Sequence, residues 1–440
     1  MRQPGLKFDW WTRVAWGLLI LVFLVHWAVI ARYAVDVPHM DSWEHLRQPD
    51  GLAGLHGSWL IAAHNEHRIV ITRLLTYLFY ALSDWNVAQV IVFNFALYGT
   101  LVGALGWVIH RKAPELPQWA LPLGLSFLLS TTAWENHLWD FQNQIHSFLL
   151  FGILANGLCF YPGRKKWQLG IGVGAALLAL LSFSAGFFLV AALTLVLGLR
   201  GVKDRWQKGQ WPLADIVACG ILAAALMIFL WQYQPVNHPT LSDQKLMPWS
   251  FDFWYFTMNM ISGGFGYQMR TAVPALVATL ILLVPAVACW RQPAAWRNGH
   301  WLVASLLLGL LLTFVVITYS RGAYGLWASK SSRYMEFSAL LVPLAIALVS
   351  LTPWSQVWRT RAIVAVLLFA AMGNRNDWNF PRVYAQEQQK RLAALECLAQ
   401  YYRGAGDGLC PDSYPEDITQ LLQTAERLNL SFVQKIKQGE

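Results

Sequence analysis

Apolar residues in this chain come in runs near 20 residues long, separated by short polar segments. A helix of that length crosses about 30 Å of hydrocarbon. The runs lie at roughly 14–33, 87–110, 117–133, 145–161, 168–200, 213–233, 272–290, 301–319, 335–353 and 361–373. The 168–200 run is too long for one crossing and is flanked by Lys165-Lys166 and by Arg200, Lys203 and Arg205. It predicts a hairpin turning at Ser182-Phe183-Ser184-Ala185-Gly186. The stretch 69–82 is apolar but short and carries Arg73, which predicts a helix lying in the membrane interface. After residue 373 the pattern predicts a helix over 384–403, a Gly/Pro loop and a helix over 416–436. The fold class is therefore all-α: a polytopic integral membrane protein with about 11 transmembrane helices, an interfacial helix in the first outer loop and a small helical C-terminal outer domain. The domains divide as 1–373, with its first outer loop at 34–86, and 374–440.

Charge orients the runs. Arg2, Lys7 and Arg13 precede the first one, and further basic clusters stand at 111–112, 164–166, 200–208, 291–297 and 359–361. Placed together on the cytoplasmic side, they put the N-terminus inside and the C-terminus outside. No small-x-small cleavage site follows the first run, so it reads as a span and not as a signal peptide. The expected location is a bacterial inner membrane, with multiple passes.

Composition agrees with that class. Hydrophobic residues make up 56% of the chain and charged ones only 13%, against about 25% charged in soluble domains. Twenty-four tryptophans, many beside run ends, suit anchoring at the interface. The net charge of +9 resides mostly in short loops; without a long basic run or a basic–aromatic motif, it does not indicate nucleic acid. No nucleotide-binding glycine motif occurs, which disfavours an ATP-driven pump. Cys397 and Cys410 fall in the tail, where an oxidising compartment would allow a bridge.

The segments assigned to the outer face are rich in chemistry. The first holds Asp36, Asp41, Glu44, His64, Glu66, His67 and Arg68; the second, 134–147, holds Glu135, His137, Asp140 and His146; the fourth, 319–334, holds Arg321, Lys330 and Arg333. Acids dominate the first two and cations the fourth. Transfer of a group from a phosphate leaving group needs both: a carboxylate to deprotonate the nucleophile and fixed cations for the departing anion. Asp41 is the leading candidate for the base. Glu44, three residues on and on the same face of a helix, and Asp36 follow; Asp41 and Glu44 also fit a helix cap and its capping box. His64, His67 and Arg68 suit contacts to substrate, and Arg321, Lys330 and Arg333 suit a phosphate. The His-x-x-His spacing of His64 and His67 would reach one metal from a helix but is not the zincin motif. The residues demand no cofactor and leave room for a divalent metal.

A long first outer loop with an early acid, a following interfacial helix, about eleven spans and a small outer tail together resemble the GT-C glycosyltransferases. The strings MDSWEHL, HNEHRIVITRLL and SSRYMEFSALL are similar to segments of bacterial proteins of that kind. The resemblance implies transfer of a sugar from a polyprenyl-phosphate donor to an envelope glycan, lipid or protein acceptor on the non-cytoplasmic face, with membrane lipids as surroundings. The chain departs from the family in lacking an Asp-x-Asp motif in the first loop, where Asp41-Ser42-Trp43-Glu44 stands instead; this puts metal assistance in question. The alternatives are a transporter or flippase for a lipid-linked glycan, and a glycan polymerase or ligase. Charges gathered at one face, with no repeated halves, favour an enzyme over a transporter.

Overall fold

The computed structural model describes residues 10–48, 50–209, 211–231, 233, 245–378 and 380–439; within them all regular structure is helical apart from one isolated β-bridge. Helix α1 spans Trp10–Tyr33, and short α2 (Gly57–Ile61) precedes α3 (Val70–Ser83) and α4 (Val87–Lys112). Then come α5 (Ala120–Ser126), α6 (Trp134–His137), α7 (Asn143–Cys159), α8 (Lys166–Leu180), α9 (Gly186–Lys208) and α10 (Leu213–Trp231). The remainder comprises α11 (Phe251–Gly264), α12 (Ala272–Trp290), α13 (Asn298–Arg321), α14 (Ser332–Ala339), α15 (Leu341–Ser350), α16 (Gln356–Gly373), α17 (Phe380–Tyr402), α18 (Thr419–Arg427) and α19 (Ser431–Gln438).

Eight stretches are long and apolar enough to cross a membrane: α1, α4, α9, α10, α12, α13, the α14–α15 pair and α16. Two shorter apolar helices, α3 and α8, accompany them, against the about eleven spans expected. The protein is a multi-pass membrane protein. Contacts sort its connections to two ends. At one end Lys112 bonds Phe160 O, Arg164 pairs with Asp215, Lys203 bonds Pro293 O and Arg359 pairs with Glu115. At the other, Trp139 meets His39, Glu66 meets Arg321, His67 meets Ser184 and Thr131 meets Asp377. The first is the basic end and the second is called the loop end below. The predicted hairpin turn at 182–185 lies at the loop end, as expected.

Three local expectations are corrected. The 117–133 run is not one long helix: Pro117 and Pro122 limit α5 to seven residues, and 3-10 turns follow at Phe127–Leu129 and Thr131–Ala133. The hydropathy runs leave a gap between 233 and 272, yet α11 lies there, hidden by its mix of aromatic and polar residues; positions 234–244 lie outside the described residues. The predicted 416–436 helix is two, divided near Asn429, whose φ of 51° is left-handed.

Helix α3 presents Leu74, Leu78 and Leu82 outward at 39%, 47% and 71% exposure, while Thr72, Arg73 and Thr76 face the protein. Spacing of four puts the leucines on one stripe, so α3 turns an apolar face to lipid and a polar face to its neighbours. Lipid offers no hydrophobic gain for helix association, and small residues allow backbones to close in instead. A Cβ at Gly264 would meet Ser338 O at 2.0 Å, and one at Gly373 would meet Phe265 O at 2.0 Å. These glycines seat α11 against α14 and α16, behind the loop end.

The tail helices α17–α19 pack on the first loop. Lys435 Nζ and Ser431 Oγ donate to Asp36 Oδ2 at 2.8 and 2.6 Å, and Trp43 Nε1 donates to Ser413 Oγ at 2.9 Å. Cys397 and Cys410 are joined by a disulfide with Cα atoms 5.8 Å apart.

Candidate functional site at the loop end

Asp41 lies in the first turn of a 3-10 helix, Met40–Leu46, whose cap is His39 and makes no side-chain capping bond. The capping box read from Asp41 and Glu44 is therefore not formed. Asp41 is 40% exposed, and His64 Nε2 stands 3.9 Å from its Oδ2. Burial pushes the Asp41 carboxyl up, but His64, then Arg333 and His67, hold it below its ordinary value. It is thus a carboxylate at neutral pH, held among cationic and imidazole groups from two other segments. Met40 just before it has a left-handed φ of 46°, a costly conformation for a residue with a side chain. The tail holds it there: Met40 N donates to Ser413 O at 2.7 Å.

His64 and His67 are not on a helix. Their backbones exchange two hydrogen bonds, 2.9 and 2.8 Å, across a tight turn through Asn65, whose φ is 49°. The bridge points the rings differently from the adjacent helical positions that shared metal binding would need. His67 stacks on Phe183 at 4.1 Å and its Nδ1 lies 2.7 Å from Ser184 Oγ. Burial drives its imidazole down to about 4, against the opposing charge of Glu66, so His67 is neutral at pH 7. Among the described residues no three His, Cys, Asp or Glu side chains cluster as metal ligands.

The cations enter from the segment joining α13 to α14. An open cavity of about 690 Å³ is lined by Arg321, Lys330 and Arg333, with Glu135, Ser332 and Tyr334 beside them. Arg333 Nε donates to Glu135 Oε1 at 3.0 Å, and Ser332 Oγ donates to the same carboxylate. Arg333 also lies over the Trp139 ring at 4.8 Å. Trp139 Nε1 in turn donates to His39 O at 3.0 Å, which links the phosphate-binding candidate to the turn that carries Asp41. Arg321 pairs with Glu66 at 3.4 Å. Lys330 is 9% exposed and donates to Asn259 O and Ser262 Oγ at 2.5 and 2.8 Å. Burial, with the charge of Arg270, lowers its ammonium to about 7.

Asp41, His64, Glu66, His67, Glu135, Arg321 and Arg333 thus form one connected group, with Lys330 in the same cavity wall. The other sequence candidates support it from outside. Asp36 accepts from Val87 N at 2.8 Å, capping α4, and holds the tail through Ser431 and Lys435. Glu44 is bound by Arg47 and Tyr414 at 2.7 and 2.9 Å. Arg68 donates to Ile61 O at 2.6 Å. His137 meets the Tyr384 hydroxyl at 2.8 Å, while Asp140 accepts from Ser42 Oγ at 2.6 Å. Burial raises the Asp140 carboxyl to about 7. His146 lies 3.2 Å from Glu336, both fully buried.

Sequence reading missed Asn136, Glu336, Trp139 and Asp377. Asn136 Nδ2 donates to Arg333 O and to Glu336 Oε2 at 3.1 and 3.0 Å, setting the register of the Glu135 segment against the Arg333 helix. Asp377 had a visible signal: it stands beside Trp378 where the last span ends, the same acid-and-Trp pattern that marks the first loop.

No family model matches this chain, and no curated protein matches it. Among solved structures it is similar to the one described as the crystal structure of ArnT from Cupriavidus metallidurans bound to undecaprenyl phosphate, at 14% identity and a TM-score of 0.43, over 96% of this chain and 77% of that one.

Proposed function

We propose that this protein is a membrane glycosyltransferase of the GT-C kind, moving a sugar from a polyprenyl-phosphate donor to an envelope glycan, lipid or protein at the non-cytoplasmic face. The observation that carries the reading is an ionised, half-exposed Asp41 under the charge of Arg333, which with Arg321 lines an open cavity at the same end of a membrane protein. In this reading Asp41 takes the proton of the acceptor hydroxyl as the new glycosidic bond forms. The bond from the anomeric carbon to the phosphate oxygen breaks, and its electrons leave with the phosphate. Arg321, Arg333 and Lys330 hold that phosphate, whose low basicity makes fixed charge more useful than a general acid. His67, neutral and clamped between Phe183 and Ser184, orients the loop. The loop end is the outer face, so the N-terminus is inside, the C-terminus is outside, and residues 374–440 act as a cap that steadies the first loop.

The test is binding of undecaprenyl phosphate to the purified protein in lipid nanodiscs, followed by release of that lipid from a sugar-bearing donor. Saturable binding that Arg321→Ala and Arg333→Ala both weaken supports the reading. A wild-type protein that shows no saturable binding sinks it. The flippase alternative predicts movement of the intact donor across a vesicle bilayer with the sugar still attached.

A further inference from the structure

The cavity lining is of two chemical kinds. Arg321, Lys330 and Arg333 supply positive charge, while Thr131, Thr132, Trp134, Gln268, Trp327 and Asp377 supply neutral polar groups, aromatic faces and one carboxylate. Among the described residues the Asp377 carboxylate has no hydrogen-bond or ion-pair partner. Its backbone, by contrast, is fixed: Asp377 O accepts from Thr131 N and Oγ1 at 3.0 and 2.8 Å. Burial raises its carboxyl to about 6. It lines the same cavity as the three cations, yet among the described residues no ion pair joins it to any of them.

An ionised carboxylate only accepts hydrogen bonds, so this one calls for a donor on the ligand. Trp134 and the 57% exposed Trp327 add flat apolar faces, and Thr132 and Gln268 add neutral polar groups. A pyranose has matching parts: apolar C–H faces and an edge of hydroxyl donors. Pockets of this composition orient a ligand with a few placed polar groups.

We infer that these uncharged and aromatic residues with Asp377 form the sugar subsite, and that Asp377 is its specificity-determining residue, accepting a hydrogen bond from a hydroxyl or ammonium substituent on the transferred sugar. The inference rests on the proposed function and names its substrate contact. A site built to bond a substrate hydroxyl discriminates strongly against an analogue that lacks it, because its own polar group is then left unpaired.

The experiment compares the affinity of the full-length protein in nanodiscs for bare undecaprenyl phosphate and for a panel of undecaprenyl-phosphate hexoses and aminohexoses. In the wild type at least one sugar should bind more tightly than the bare lipid phosphate. Asp377→Ala should erase about tenfold or more of that gain, the effect of one hydrogen bond to a charged group, and leave bare lipid-phosphate affinity unchanged. Trp327→Ala, at an exposed position, should reduce the same gain without touching the bare lipid. If no panel sugar improves on the bare phosphate, or if Asp377→Ala keeps the full gain, the subsite assignment is wrong. If the wild type does not bind bare undecaprenyl phosphate at all, the failure lies with the proposed function and takes this inference with it.

Discussion

Both ends of the molecule gather cations, and they use them differently. At the basic end Lys112, Arg164 and Arg200 converge on the C-terminus of α7, where Lys112 donates to Phe160 O at 2.8 Å and Arg164 and Arg200 donate to Cys159 O. Helix C-termini carry unpaired carbonyls and partial negative charge, so these cations complete the helix. Lys203 does the same for three carbonyls, of Pro293, Ala294 and Trp296. At the loop end Arg321 and Arg333 stay 32% and 46% exposed and pair with one carboxylate each. A guanidinium has five donors, so each keeps capacity toward the cavity. The lesson is that a cation's role is read from its partners: carbonyl-saturated ones are structural, and ones facing an open cavity are available to a ligand.

The largest effect should come at Asp41. Asp41→Asn keeps the shape and should leave expression and lipid-phosphate binding intact, while sugar transfer drops by about 10²- to 10⁴-fold, the usual worth of a general base. Transfer is measured as labelled sugar moving from donor to a membrane extract. Wild-type turnover in this variant, with Glu44→Gln or Asp36→Asn inactive, would move the base to another carboxylate; activity in all three would remove the loop acids from the chemistry.

At the basic end the damage should be to stability instead. Asp215→Ala strands the buried Arg164 guanidinium, and breaking a buried pair from one side costs about 3–5 kcal/mol. The thermal midpoint in detergent should fall while turnover per folded molecule holds. A chemical defect at unchanged midpoint would erase the contrast between the ends.

Arg333→Ala should weaken undecaprenyl phosphate binding by about tenfold or more, as expected for a lost charge-assisted bond. Arg297→Ala at the basic end, where Arg297 is 79% exposed beside Glu115, should change it by less than about twofold. Equal effects would reduce Arg333 to a headgroup anchor.

The smallest effect concerns pH. Lys330 is lowered to about 7, so it is charged below that value and neutral above it. Affinity for bare undecaprenyl phosphate should decline several-fold as pH rises from 7 to 9, a window above the second phosphate ionisation near 6. Lys330→Met should flatten that slope, and a slope that survives the change would place the titrating group elsewhere.

Much of this arrangement was legible along the chain. Hydropathy runs show the long spans because each must satisfy its backbone bonds within itself, and lysine and arginine placement marks out the basic end. The run at 117–133 misled because hydropathy averages over Pro122 and the Ser130-Thr131-Thr132 stretch. Asp41, His67 and Arg333 were legible because acids and cations near span ends have few structural duties. Asp36 looked equivalent, yet its partners Ser431 and Lys435 lie at the other end of the chain, and no local pattern announces such a bond. Trp139 and Glu336 were hidden for the same reason: aromatic anchoring and burial describe them locally, while their work lies in contacts with Arg333 and Asn136.

The Met40–Ser413 bond has a consequence for biogenesis. Asp41 emerges early in synthesis, directly after the first span, but the partners that fix its turn come from residues 412–414 and 431–435. Those residues are synthesised last, and their own loop is tied by the Cys397–Cys410 bridge. A partly made or truncated chain therefore holds the acid without its seat, and the turn around Asp41 is completed only after these late residues have been made.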